Sequence, residues 1–192
     1  MSKSILALII AATFPALPIL SAPCPPEGDG KTAMEKAGNP FKNRATAPTK
    51  INKAITLEAM VKPGDDTKRF SNDDAASVTG YVAVVKPGGL ESCECHDPNL
   101  LDTHIALVTD PKYYADGTKH VIVEVTWHFR KAIGSTTDLK VKFFHKRVTI
   151  TGPMFADKIH APNATNTNPS GKNNWRATIW EVHPIVKIEL AK

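Results

Sequence analysis

A chain of 192 residues with 42% hydrophobic and 22% charged residues is large enough for one domain plus an additional arm. Lys and Arg number 24 against 19 Asp and Glu, a net charge of +5, a weaker excess than the concentrated basic stripe of a dedicated nucleic-acid binder. The three cysteines allow one disulfide and leave one thiol over, and neither an internal repeat nor a coiled-coil heptad run is present.

Residues 1–22 read as a secretory signal peptide. Lys3 precedes an apolar run from Ile5 to Leu20 that ends in the small residues Ser21 and Ala22. Pro15 and Pro18 interrupt the run and disfavour a membrane-spanning helix. The expected location is therefore outside the cytoplasm, periplasmic or secreted, with no transmembrane segment in the mature chain. Residues 23–75 form an arm. Pro, Gly, Asn, Lys and Thr dominate Pro23 to Lys50, the composition of a linker. Ile51 to Lys62 is more apolar and suits a strand or a short helix, ended by the turn residues Pro63-Gly64-Asp65-Asp66.

Strand patterns follow in order. In Ser77 to Lys86, Val78, Val82 and Val84 alternate, with Gly80 where a long first strand can bend. Thr103 to Thr109 turns Ile105 and Leu107 inward and stops at Asp110-Pro111. Val121 to Arg130 alternates apolar residues with increasingly polar ones. Asp138 to His145 suits a short plug helix. Arg147 to Gly152 and Arg176 to Leu190 supply two more strands, and Pro184 requires a bulge, bend or free edge in the last. The expected core is Val82, Val84, Ile105, Leu107, Val123, Val125, Val148, Ile150 and Ile179.

Strand, strand, strand, helix, strand, strand over residues 76–192 resembles the oligonucleotide/oligosaccharide-binding (OB) fold, an all-β, five-stranded Greek-key barrel with a short helix before the fourth strand. The segments Val78-Thr-Gly80-Tyr-Val82, Cys93-Glu-Cys95, Asp102-Thr-His104 and Trp180-Glu-Val-His183-Pro184 are also similar to those of a group of uncharacterised bacterial exported OB-fold proteins. The resemblance implies a ligand surface on the second and third strands, flanked by Lys86 to Leu101 and Phe155 to Trp175.

Two sets of residues carry candidate chemistry. Cys93, Cys95 and His96, followed by Asp102 and His104, are of metal-ligating types, with zinc the metal such a set favours. The same cysteines also suit a structural disulfide with Cys24, or free thiols. The second set is His104, Thr126, His128 and Arg130, expected on one outward sheet face, with Trp175 as a stacking platform. Glu181 and His183 read as a hydrogen-bonded surface couple beside a buried Trp180, and the Asn-rich loop Phe155 to Asn174 as a mobile excursion. No catalytic residue and no obligatory cofactor are assigned. The leading expectation is a non-enzymatic binding module for an acidic polymer (nucleic acid or glycan) or a protein partner; the alternative is a metal-binding protein or metal-dependent enzyme centred on Cys93, Cys95, His96, Asp102 and His104.

Overall fold

A computed structural model describes residues 24–192; the expected signal peptide lies outside the described residues. Its central feature is a closed, mixed five-stranded β-barrel, compatible with an OB-like barrel. Strands β1 (Ala75–Pro87), β2 (Thr103–Val108), β3 (Val121–Val125), β4 (Arg147–Ala156) and β5 (Trp180–Val182) follow one another around it in the order β1-β2-β3-β5-β4. The length of β1 closes the ring: Tyr81–Pro87 pairs with β2, and Ala75–Tyr81 pairs with β4. All contacts are antiparallel except β3 with β5, where Val123 pairs with Val182. After the cis His183–Pro184 peptide, β6 (Lys187–Leu190) returns to β4 beside β5. Pro184 thus breaks the expected last strand into two pieces on one side of β4.

The core is what alternation predicts, with one exception. Val82, Ile105, Leu107, Val123, Val125, Val148, Ile150 and Ile179 are all buried. Val84 is not among them, because the β1–β2 register skips a residue between Val82 and Val84. That bulge reverses the parity of the strand: Val85 joins Val82 in the core, and Val84 packs outside against Ala83, Ala106, Val108 and Ile122.

The third strand is shorter than its alternating pattern suggests. It stops at Val125; Thr126 then occupies the N-cap of α3 (Trp127–Ile133). Phe129 and Ile133, four residues apart on one helical face, pack on the core. The expected plug helix is α4 (Thr136–Phe143), which buries Leu139 and Phe143 and is opened by a Ser135–Asp138 capping box.

The arm is folded onto the barrel. The Thr32-x-x-Glu35 capping box starts α1 (Ala33–Lys42), which carries Pro40 within it. A Cys24–Cys95 disulfide ties the arm to the β1–β2 loop, and buried Asn39 and Asn43 donate to Glu27 O (2.9 Å) and Cys93 O (2.6 Å). Arg44 reaches the barrel itself, donating to the carbonyls of Met154 (2.7 Å) and His183 (2.8 Å). In α2 (Leu57–Val61), Leu57 and Met60 enter the core. Leu57 also explains Gly80: a Cβ there would stand 2.4 Å from Leu57 Cδ2, so the glycine admits the side chain to the barrel.

The loop read as a mobile excursion is also ordered against the body of the protein. It forms a 3-10 helix over Lys158–Asn163, and Asn166 is buried with hydrogen bonds to Met60 O (3.2 Å) and Asp66 Oδ2 (3.0 Å). Asn166 shares these acceptors with Arg69, which also donates to Met60 O, and with Thr178, which also donates to Asp66 Oδ2. Among the described residues no helix is long and apolar enough to cross a membrane.

Candidate functional site

Polar residues of β2, β3 and β5 point away from the core onto one face of the barrel wall. His104 is paired directly with Glu124 in the β2–β3 register. Val123 pairs with Val182 in the core, so Glu124, Glu181 and His183 take the opposite face. An outer barrel face is ordinarily wet; this one is roofed by α1 and the 3-10 turn Ser92–Glu94, so Asp102, Glu124, Glu181 and His183 are buried.

The resulting cluster is dense. Glu124 lies between two imidazoles, Oε1 being 3.1 Å from His104 Nε2 and Oε2 3.1 Å from His183 Nδ1. His183 Nδ1 also bonds Glu181 Oε2 at 3.3 Å, and Nε2 stands 3.5 Å from Asp102 Oδ2. Glu91 brings Oε1 to 3.9 Å from His104 Nε2 and pairs through Oε2 with Lys42 of α1. On the far side, fully buried Arg176 donates to Asp157 Oδ2 (2.9 Å) and Glu181 Oε1 (2.6 Å), and His160 bonds the same Asp157 oxygen.

Burial and charge set the protonation states. Burial works against a charged His183, but Glu124 and Glu181 more than compensate and raise its pKa to about 10, so it is an imidazolium at neutral pH. Burial likewise opposes ionisation of Glu124, yet His104 and His183 hold its carboxyl well below the usual range. Glu94, buried beside Asp102, is pushed up to about 9, and Asp102 is raised by burial to about 6 despite His183. Asp157 is held low: burial opposes its charge, but the His160 hydrogen bond and Arg176 outweigh that cost. Even so, Asp102 Oδ1, His104 Nε2, Glu124 Oε2 and His183 Nε2 have no partner in hydrogen-bond geometry. Buried polar atoms of this kind are uncommon.

Two recesses border the cluster. A cavity of about 550 Å³ under α1 is walled by Met34, Leu90, Phe155 and Ile159, with Lys42, Glu91, Asp157 and His160 as its charged groups nearest the cluster. A groove of about 330 Å³ lies across β1, β2 and β3, with Val84, Ala106 and Ile122 beneath and Lys86, His104, His120 and Trp175 around them. The recesses adjoin at two points: Glu91 of the cavity faces His104 of the groove, and His160 of the cavity packs edge-on against Trp175 of the groove at 5.1 Å.

The candidate residues read from sequence separate accordingly. His104 and Trp175 meet in the groove. Thr126 is buried at the α3 N-cap; His128 lies in α3 stacked on Trp127, its pKa lowered by burial. Arg130, also in α3, donates to Asn99 O (2.9 Å) and to Leu101 O, fastening the helix to the β1–β2 loop. The proposed metal set is likewise dispersed. Cys95 is in the disulfide; Cys93 is a buried thiol whose pKa burial raises, 3.5 Å from Glu91 Oε2; exposed His96 pairs with Asp29 at 3.1 Å. Asp102 and His104 alone enter the cluster.

Glu91, Glu124, Lys42, Asp157 and Arg176 are members that sequence reasoning did not assemble. The signal for part of the set was present: Asp102-x-His104, Glu124 within Val-Ile-Val-Glu-Val, and Glu181-x-His183 each place polar residues on one face of a strand. Glu181 and His183 are the bonded couple beside a buried Trp180 that was expected, but in the interior. Comparison with known proteins finds no matching family model, no matching curated protein and no matching solved structure.

Proposed function

We propose that this protein is an exported binding module of the OB type that takes a segment of an anionic polymer, nucleic acid or glycan, in the groove between His104 and Trp175. The observation that carries this reading is the composition of that groove. Lys86, His104, His120 and Trp175 surround an apolar floor, and among the described residues no carboxylate lines it. A lysine and two imidazoles beside an exposed indole suit a chain of negative groups carrying planar or ring-shaped units, because stacking on an aromatic face adds to charge attraction and hydrogen bonding. The position supports the reading too: the groove crosses β2 and β3 beside the β1–β2 and β4–β5 loops, where OB barrels present their ligand surface. Export is supported by the N-terminal apolar run and by the Cys24–Cys95 disulfide, a bond that persists in oxidising compartments.

The test is titration of Trp175 fluorescence with a single-stranded oligonucleotide and with polygalacturonate at low salt. Saturable quenching by either, lost in Trp175→Ala and weakened by added salt, supports the reading. No response to either polymer at low ionic strength removes it.

A further inference from the structure

We propose that Glu91, His104 and Glu124 bind a divalent transition-metal ion of the zinc class. The three donors come from separate elements, the β1–β2 loop, β2 and β3, and one ligand atom from each falls within 4.8 Å of the others. Their spacing is that of a coordination shell. Donors about 2.1 Å from a tetrahedral metal lie about 3.4 Å apart, and His104 Nε2 stands 3.1 Å from Glu124 Oε1 and 3.9 Å from Glu91 Oε1.

Orientation points the same way. His104 Nε2 is shielded from solvent and close to two carboxylate oxygens, yet it has no partner in hydrogen-bond geometry. Glu124, 3% exposed at its side chain, turns Oε1 toward that same imidazole nitrogen at 3.1 Å. Space beside the imidazole is preserved by Gly88, where a Cβ would stand 2.9 Å from His104 Nε2. The other carboxylate oxygens are steadied from behind: Lys42 pairs with Glu91 Oε2, and His183 faces Glu124 Oε2 at 3.1 Å. Outer partners of this sort fix the direction in which ligands present their lone pairs. One imidazole and two carboxylates suit borderline ions such as zinc, and three protein ligands leave a coordination position for water. Glu91 lines the cavity under α1 and His104 lines the groove, so the ion would sit at the partition between the two recesses.

The experiment is metal binding by the mature, disulfide-bonded protein. Zinc is titrated in competition with a chromophoric chelator, and cobalt(II) is added separately to read its visible absorption. One equivalent of zinc and a four- or five-coordinate cobalt spectrum are expected. Glu91→Gln, at a partly exposed loop position, should lower zinc affinity by at least about tenfold while the circular dichroism spectrum stays that of the parent, and His104→Ala should do the same. Lys86→Ala, which removes a groove cation but no metal donor, should leave zinc affinity unchanged. Absence of stoichiometric binding by the parent, or a Glu91→Gln variant that binds zinc as the parent does, overturns the proposal. The polymer-binding reading is tested separately, through Trp175 and Lys86, and either result can fail alone.

Discussion

Glu124 and His183 face each other across the parallel β3–β5 contact with Oε2 and Nδ1 3.1 Å apart, their side chains 3% and 0% exposed. Removing His183 leaves the buried carboxylates of Glu124, Glu181 and Asp102 with one cation fewer among them, although His104 still faces Glu124 at 3.1 Å. His183→Ala should therefore cost about 3–5 kcal/mol in urea unfolding, the range for a broken buried pair. Glu189→Ala removes the partner of Lys187 in an exposed pair on β6 and should cost less than about 1 kcal/mol. Equal losses in the two variants would mean that the cluster is far more hydrated than its burial indicates.

The same cluster makes stability fall toward alkaline pH. The folded state keeps the His183 proton to about 10, whereas an ordinary histidine releases it near 6.5, so its stabilising contribution is complete below 6.5 and lost as pH rises through about 10. Glu94 acts in the same sense: the folded state holds its proton to about 9, the unfolded chain gives it up near 4.5, and stability declines between those values. Glu124 and Asp157, both held below their ordinary range, oppose this only in acid, where their contribution is lost as pH falls. Thermal unfolding should show a maximum on the acid side of neutrality and a steep fall between pH 7 and 10. In Glu94→Gln the part of the decline below pH 9 should be shallower; an unchanged slope would assign it elsewhere.

Core truncations separate the two faces of the barrel wall. Val125, 1% exposed, should cost about 2 kcal/mol or more on replacement by alanine, from lost burial and the cavity left behind. Val84, turned outward by the bulge, should cost less than half as much. Chemical denaturation of the two variants checks the register directly, since a β1 without the bulge would bury Val84 and bring its cost up to that of Val125.

The barrel was legible because its signals are local and periodic: Val121, Val123 and Val125, or Ile105 and Leu107, announce a buried face wherever the strand lies. The Val84 position was not, since Ala83 and Val84 carry no sign in composition of a register skip. Val121 to Arg130 misled for another reason. Phe129 and Ile133 have helical spacing, but the preceding alternation runs into them without a Gly or Pro to mark the change. The arm had a readable start in Thr32-x-x-Glu35, masked by Gly38 and Pro40 within the helix. The cluster could be read only in fragments, strand by strand. Its closure depends on the parallel neighbouring of β3 and β5 and on the roof supplied by α1, neither of which leaves a local trace.

The disulfide should be both protective and selective. Cys24 and Cys95 are 71 residues apart, and constraining a loop of that length disfavours the unfolded chain by about 4 kcal/mol in the chain-entropy description. Cys24→Ala should lower the unfolding temperature and expose the arm to proteolysis. In the native protein a thiol reagent should find Cys93 unreactive, because burial both shields the thiol and raises its pKa. One equivalent of reagent should add after unfolding without reductant and three after reduction. Mass spectrometry giving three reactive thiols in the unreduced protein would remove the disulfide.

Arg130 and Lys86 provide the sharpest contrast for the proposed polymer site. Arg130 has the charge for an anionic ligand, but its guanidinium is engaged by the carbonyls of Asn99 and Leu101, where it joins α3 to the β1–β2 loop. Lys86 lines the groove near His104 and forms no ion pair among the described residues. Arg130→Ala should therefore lose about 1.5–3 kcal/mol of stability, the worth of hydrogen bonds from a charged donor, and bind an oligonucleotide or polygalacturonate with the affinity of the parent. Lys86→Ala should do the reverse, keeping its unfolding midpoint while weakening binding and flattening its salt dependence by about one phosphate contact where the ligand is an oligonucleotide. If Arg130→Ala loses binding at unchanged stability, the ligand lies along α3, and the groove between His104 and Trp175 is not the site.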